Sequence, residues 1–149
     1  PGSGQEWGGI IRHGAKMLYA YAEATVPKLT VTIRKAYGGA YLGMCSKSLG
    51  ADFVFSWPTT EIAVMGAEAA APIVFRKELE SSANPEELLK EKIQTYRDEY
   101  SNPYHGAEHL YIDEIIDPTE TRMKLATTLE LLMHKVENQP DRKHGISPV

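Results

Sequence analysis

A chain of 149 residues has the length of one domain and enough apolar side chains to bury a core. Its composition, 42% hydrophobic and 24% charged, is that of an ordinary globular protein, and a formal charge of −4 excludes a general nucleic-acid binder, which needs a basic face. A single cysteine, Cys45, excludes an internal disulfide framework and any multi-cysteine metal site.

No apolar run approaches the roughly 20 residues of a membrane span and no signal peptide is recognisable, so a cytoplasmic location without direct membrane contact is expected. The chain starts at Pro1 without an initiator methionine, which reads as a processed or excised piece.

The elements follow in order. Residues 1–6 (PGSGQE) form turns and give a flexible entry. Ile10, Ile11, Ala15, Leu18, Tyr19 and Ala22 recur at three- and four-residue spacing and predict a helix up to Thr25, ended by Pro27. Residues 28–34 (KLTVTIR) alternate and are rich in β-branched types, which predicts a strand. The run Arg34-Lys35-Ala36-Tyr37-Gly38-Gly39-Ala40-Tyr41 then leads through a glycine turn into a helix reaching Leu49, with Gly50 as its stop. Strands are expected at 53–57 and 61–65, the second closed by Gly66. A helix is expected over 67–78 despite Pro72, and another from the start signal Asn84-Pro85-Glu86-Glu87. Ser101-Asn102-Pro103 breaks that helix. A short buried strand at 111–116 follows, and Asp117-Pro118 opens a last helix carrying Leu125, Leu129, Leu132 and Met133 on one side. Strands separated by helices imply a largely parallel sheet in an α/β unit, taken as one domain over 1–149.

The glycine turn is the first candidate site. Without a Cβ the backbone bends sharply and a ligand can approach the peptide plane. The first amides of the helix have no intrahelical acceptor and can hold a carboxylate, a phosphate or a developing oxyanion. A tight turn with close packing would account for the same two glycines.

Side-chain chemistry is sparse elsewhere. His105-Gly106-Ala107-Glu108-His109 has the H-x-x-E-H spacing of a zinc peptidase, but it follows Asn-Pro, contains glycine and lacks a supporting amphipathic helix, so a surface turn without metal is expected. Cys45 lies in an apolar helical run and reads as a small buried hydrophobe. Ser46 lacks a nucleophile-elbow setting. Glu61 and Glu68 read as ion-pair or capping partners rather than general bases. Arg12-His13, Arg34-Lys35 and Arg142-Lys143-His144 read as solvated basic clusters. The absence of a side-chain catalyst favours backbone donors working with a cofactor.

Five ordered motifs carry a resemblance across the whole chain: Gln5-Glu6-Trp7-Gly8-Gly9-Ile10-Ile11-Arg12-His13-Gly14-Ala15-Lys16; the glycine-turn run from Arg34 to Tyr41; Trp57-Pro58-Thr59 with EIAVMG from Glu61 to Gly66; Ile112-Asp113 with Ile116-Asp117-Pro118 and Thr121-Arg122; and Arg142-Lys143-His144-Gly145. Together the chain resembles the C-terminal half of the carboxyltransferase β-subunits of biotin-dependent acyl-CoA carboxylases, with propionyl-CoA carboxylases and methylmalonyl-CoA decarboxylases as the nearest branches. The resemblance implies a crotonase-like (ClpP/crotonase) spiral of ββα units. It implies carboxyl transfer between carboxybiotin, on a separate carrier domain, and the α-carbon of a short-chain acyl-CoA, with no metal in this domain. It also implies that the ureido nitrogen of biotin removes the α-proton, while the main-chain N–H groups of Gly39 and Ala40 stabilise the biotin enolate. Gly38, Tyr41, Leu42, Met65 and Gly66 would line the biotin and substrate site. Implied partners are the N-terminal, acyl-CoA-binding half of the subunit, a biotin carboxylase and carrier subunit, and further copies in a trimer or hexamer. For a eukaryotic member the location would be the mitochondrial matrix. Two alternatives stay open: the same half of a biotin-dependent decarboxylase, and a non-catalytic oligomerisation fragment.

Three positions depart from the family pattern. Leu42 stands where propionyl-CoA carboxylases often carry aspartate. Glu108-His109-Leu110 replaces a common Arg-Gly, and Ile146-Ser147-Pro148 a common Asn-Ile-Pro.

Overall fold

The computed structural model describes residues 2–141 and 145–148, so the Arg142-Lys143-His144 cluster lies outside the described residues. Two parallel sheets organise the chain. β1 (Leu29–Thr32), β3 (Phe53–Ser56) and β5 (Glu114–Ile115) form the first, in the order β1-β3-β5; β2 (Lys35–Tyr37) and β4 (Glu61–Ala63) form the second. Leu29 pairs with Phe53, Lys35 with Glu61, and Phe55 with Glu114. β1 and β3 of the first sheet each bend at their ends and continue into β2 and β4 of the second, and helices then return the chain to the first, where β5 leads into the last helix. The result is the spiral of ββα units that defines the crotonase-like class.

The strand expected over 28–34 is therefore two strands. β1 stops at Thr32, and Ile33 and Arg34 carry the chain round a corner into β2. Hydrogen bonds pin both corners. The Trp57 amide donates to the Thr32 carbonyl (3.0 Å), the Glu61 amide to the Arg34 carbonyl (2.7 Å), and the buried Thr60 hydroxyl to the Thr32 carbonyl (3.0 Å). These bonds satisfy backbone groups that the sheet ladder leaves unpaired where the strand bends.

The central strand β3 buries Val54, Phe55 and Ser56, as a parallel strand covered on both faces should. Around it a small core collects Cys45, Ala51, Val54 and Ile112, with Tyr21, Ile62, Ala107 and Ile115 packed against it. Alanines 67, 70 and 71 of α4 (Ala67–Val74) are buried and let that helix lie close to α6 (Pro85–Glu99).

The helices follow the sequence with four corrections. The expected flexible entry holds a short helix, α1 (Ser3–Trp7), with the Gly2 amide bonded to the Gln5 side chain at 2.9 Å. The helix after the glycine turn is only α3 (Gly38–Gly43); Cys45 sits beyond it at φ 64, and a 3-10 turn (Lys47–Leu49) leads to Gly50 at φ 87. The run from Ala67 divides at Phe75 into α4 and α5 (Arg76–Ser81), since Pro72 removes one helical amide donor. Asn102-Pro103 ends α6 and also starts a helix, α7 (Pro103–Glu108): the Asn102 side chain accepts from the His105 amide at 2.9 Å and proline takes the first helical position.

Two helices place less of their apolar surface inside than their periodicity implies. α2 (Ile10–Glu23) buries no residue, and α8 (Thr121–Leu131) buries Thr128 while Leu129, Leu131 and Met133 lie exposed. No helix among the described residues is long and apolar enough to cross a membrane.

Polar ties join the layers. Asp52, at the entrance of β3, accepts from the Lys28 amide (2.7 Å) and from Lys135 beyond α8 (3.0 Å). Burial pushes its carboxyl up, but the Lys28 amide and the Lys135 ammonium outweigh that and hold it below the usual carboxylate range. Tyr37, the last residue of β2, donates to Glu61 on β4; Arg97 of α6 lies 4.0 Å from Glu61 and also pairs with Glu68 of α4. Burial, and then the bond to Glu61, push the Tyr37 phenol up to about 12.

Two pH effects on stability follow. A depressed folded-state carboxylate stabilises above its unfolded pKa and is lost as pH falls through the folded one. Urea denaturation should therefore show Asp52→Asn less stable by about 1.5–3 kcal/mol at pH 7 and nearly equal to wild type near pH 2. A raised phenol has the opposite sign, with its contribution present below pH 10 and lost as pH rises toward 12. Tyr37→Phe should lower stability at pH 8 and flatten the alkaline limb of the same measurement.

Candidate functional site

β2 hands over to α3 through two glycines that do different work. Tyr37 is still extended, at φ −114 and ψ 133. Gly38 then takes φ +52, and a Cβ there would sit 2.9 Å from the Val64 carbonyl oxygen. Only glycine fits, on both backbone and steric grounds. A Cβ on Gly39 would meet nothing within 4 Å. Gly39 is bare for no packing reason, and its open side faces space that a ligand can use. Among the described residues no acceptor is found for the Gly39 or Ala40 amide, as expected in the first turn of a helix.

These residues border a cleft of about 520 Å³ between α3, the end of β4 and α7. Gly38, Gly39, Leu42, Val64, His105 and Tyr111 line it, together with Tyr41. Most of this lining is apolar, and Leu42 and Val64 are exposed at 45% and 77%. An apolar wall beside free amides strengthens any hydrogen bond those amides make to an anion. The Tyr41 hydroxyl is buried without a hydrogen-bond partner; burial, and then the neighbouring Tyr111, push its pKa up, so it keeps its proton.

The structure thus brings Gly38, Gly39, Tyr41 and Leu42 into one cleft. Ala40 opens on the other side of α3, onto a groove of about 530 Å³ that it shares with Tyr41, Tyr37 and Met44. Met65 and Gly66 do not line the cleft. Gly66 caps α4, its carbonyl accepting from the Ala69 and Ala70 amides, and the Tyr37 ring packs 3.4 Å from where its Cβ would stand. It supports the turn from behind.

Other side chains fall where their types suggest. Cys45 is buried and burial raises its thiol pKa, which suits a packing role. Glu61 and Glu68 are held by Tyr37 and Arg97 as partners in a polar network. His105 and Tyr111 on the cleft wall were not picked out as site residues by sequence reasoning. Tyr111 has no local signal; His105 has one in its spacing from His109. Contrary to the expected surface turn, His105 lies on α7, and its ligating atoms lie within 4.8 Å of those of Glu108 and His109.

Comparison with known proteins gives this geometry a family. The model of the carboxyl transferase domain matches residues 1–147. The methylmalonyl-CoA carboxyltransferase 12S subunit of Propionibacterium freudenreichii subsp. shermanii is 55% identical over 148 residues, which are 99% of this chain and 28% of that subunit. The methylmalonyl-CoA decarboxylase subunit alpha of Propionigenium modestum is 52% identical over 149 residues, 100% of this chain and 29% of the relative. A crystal structure of transcarboxylase 12S, described as a hexamer with methylmalonyl-coenzyme A and methylmalonic acid bound, superposes with a TM-score of 0.94 at 54% identity, covering 100% of this chain and 29% of that one. The chain therefore spans under a third of the length of the curated relatives it matches. By this match, the likeness in fold and the glycine turn read from its sequence, the chain belongs to the carboxyl transferase domain family.

Proposed function

We propose that this chain supplies the biotin side of a carboxyltransferase that moves a carboxyl group between carboxybiotin on a separate carrier and the α-carbon of a short-chain acyl-CoA. The observation that carries the reading is Gly39: a position bare of any packing need, at the start of a helix whose amides have no partner among the described residues, on the wall of an apolar cleft. The fit to biotin rests on that same open side, which a Cβ would fill. When bound, the biotin ring supplies the carboxyl group and the ureido atoms that exchange it.

The chain's own part is positioning and electrostatics. The Gly39 amide donates to the ureido oxygen as it gains negative charge, with the adjacent Ala40 amide as second donor from the same first turn although Ala40 itself borders the second groove; donors of this kind contribute about 2.7–4 kcal/mol each to transition-state stabilisation. Gly38 fixes where those amides stand, because its α-carbon is held against the Val64 carbonyl. Leu42 and Val64 exclude water from the ring, which keeps the amides unscreened. Tyr41 stays neutral and adds no charge to the wall.

The acyl-CoA substrate is proposed from the relatives, two of which carry methylmalonyl-CoA in their names. The thioester side is assigned to protein outside this chain, namely the N-terminal half of the subunit, and the carrier and biotin carboxylase to further partners. Further copies in a trimer or hexamer complete the proposed assembly. The surface supports such partners: Trp7 and Ile11 at one end and Leu131 and Met133 at the other are large, apolar and exposed. A second reading is the same half of a biotin-dependent decarboxylase, favoured by Leu42 and by 52% identity to a decarboxylase alpha subunit.

Two measurements test the proposal. Carboxyl transfer from carboxybiotin to propionyl-CoA should be absent with this chain alone and present when a subunit of the relatives' length is rebuilt around it; full activity of the isolated chain would sink the half-site view. In the rebuilt subunit Gly39→Val should lower transfer by roughly 100-fold or more, because its isopropyl group occupies the open side and holds the ring off amides worth that much, with an unchanged melting temperature. Gly38→Ala should instead destabilise the fold, by about 1–2 kcal/mol from the left-handed backbone alone. Wild-type turnover in Gly39→Val would remove the turn from the mechanism.

A further inference from the structure

We propose that His105, Glu108 and His109 form a binding site for a divalent transition-metal ion, Zn²⁺ foremost, on one face of α7. The three residues stand at positions i, i+3 and i+4 of a helical segment, the spacing that stacks side chains on the same side. His109 caps the helix at φ −95 and ψ 10, close enough to helical for that register to hold. One ligating atom from each residue lies within 4.8 Å of the others. A tetrahedral ion with bonds of 2.0–2.1 Å needs its ligands about 3.3 Å apart, a contraction that rotation of these largely exposed side chains supplies.

One nitrogen is already set for the task. Nδ1 of His109 lies 2.9 Å from the His105 carbonyl oxygen. A carbonyl only accepts, so in the neutral ring Nδ1 carries the proton and Nε2 presents its lone pair. Metal-ligating histidines use this same device, in which a bond at one ring nitrogen orients the other. The rings are also held by neighbours: His105 and His109 have centroids 4.6 Å apart, Tyr111 stacks on His109 at 6.4 Å, and Tyr100 meets His105 edge-on at 6.5 Å. His105 Nδ1 and the Glu108 carboxylate are 4.0 Å apart, too far for a hydrogen bond, so neither is consumed by the other.

The helix beneath them is firm. Asn102 caps it, and Gly106 is buried so closely that a Cβ would lie 3.1 Å from the Ile112 side chain. Two imidazoles and one carboxylate favour Zn²⁺, Co²⁺ or Ni²⁺ over Mg²⁺ or Ca²⁺, and three protein ligands leave a fourth position for water. Because His105 also lines the cleft, the ion would stand at the cleft rim. The proposal does not rest on the carboxyl-transfer reading, since its test reads metal binding alone.

The test is a calorimetric titration of the full chain with Zn²⁺, repeated with Co²⁺ as an optical probe. One ion per chain at micromolar affinity is expected, with the intense visible absorption of four-coordinate Co²⁺. His105→Gln and His109→Gln should each weaken binding roughly tenfold or more, and Glu108→Gln by less. His13→Gln and His134→Gln should bind as wild type does. Circular dichroism of the metal-free variants keeps a loss of fold from passing as a loss of site. No saturable binding below millimolar Zn²⁺, or binding that survives both His105→Gln and His109→Gln, would overturn the proposal.

Discussion

The approach of the Gly38 α-carbon to the Val64 carbonyl is the constraint on which the site depends. β2 and β4 run parallel with Tyr37 opposite Ala63, so the residues after each leave the sheet side by side. One of the two chains must turn away at once. Gly38 does so in the left-handed region, and any larger residue would press on backbone that cannot move without breaking the β2–β4 pairing. The start of α3 is thus fixed relative to the end of β4, and the cleft between them has a defined width. The Tyr37–Glu61–Arg97–Glu68 network reinforces this from the far side, tying β2, β4, α4 and α6 at the same level.

Much of this was legible in the sequence because it rests on local rules. The strand at Phe53, the stop at Gly50, the start at Asn84-Pro85 and the handover at Gly38-Gly39 each follow from residue types that permit little else. What escaped was decided by tertiary contact. Ile33 and Arg34 continue the alternation of β1 by type, yet the chain leaves the sheet there, because bonds to Trp57 and Glu61 capture the carbonyls of Thr32 and Arg34. A three-residue strand running straight into two glycines carries no periodicity of its own, so β2 was hidden in the turn. Asn102-Pro103 does break α6, as its residue types require, and also caps α7, which the Gly106 of that segment hides from a reading by propensity. Gly106 argued against α7 by propensity, but close packing on Ile112 requires it. Met65 and Gly66 enter the site by resemblance alone, and the structure instead uses Gly66 to cap α4 and leaves both outside the cleft lining.

The helices pose the opposite problem, a correct pattern without its expected burial. α2 has the apolar spacing of a core helix, yet none of its residues is fully buried and only Tyr21 reaches the described core, while α8 buries only Thr128 and ends before Leu132 and Met133 complete its expected face. Apolar periodicity reports that a face is covered in the working protein, not that the cover comes from the same chain. The buried side chains of this chain are mostly small, and Val54, Phe55, Ile112 and Ile116 are the large apolar exceptions. α2 and α8 leave apolar side chains such as Ile11, Leu129 and Leu131 exposed, the surface that the proposed assembly would cover.

The division between backbone and side chain also says where specificity should reside. In the proposed reaction the amides at Gly39 and Ala40 would present the same donors whatever substrate is offered, so they would set the chemistry without choosing the acyl chain. Choice has to come from the walls, and in this chain those are Leu42, Val64 and Tyr111, which stand beyond the last constrained residue of each element. Leu42 lies on α3 after the turn is complete, and Val64 follows the last paired residue of β4, so only their backbones are fixed. Their side chains are free to differ without disturbing Gly38. Wall residues such as Leu42 can therefore change while the glycine pair stays as it is.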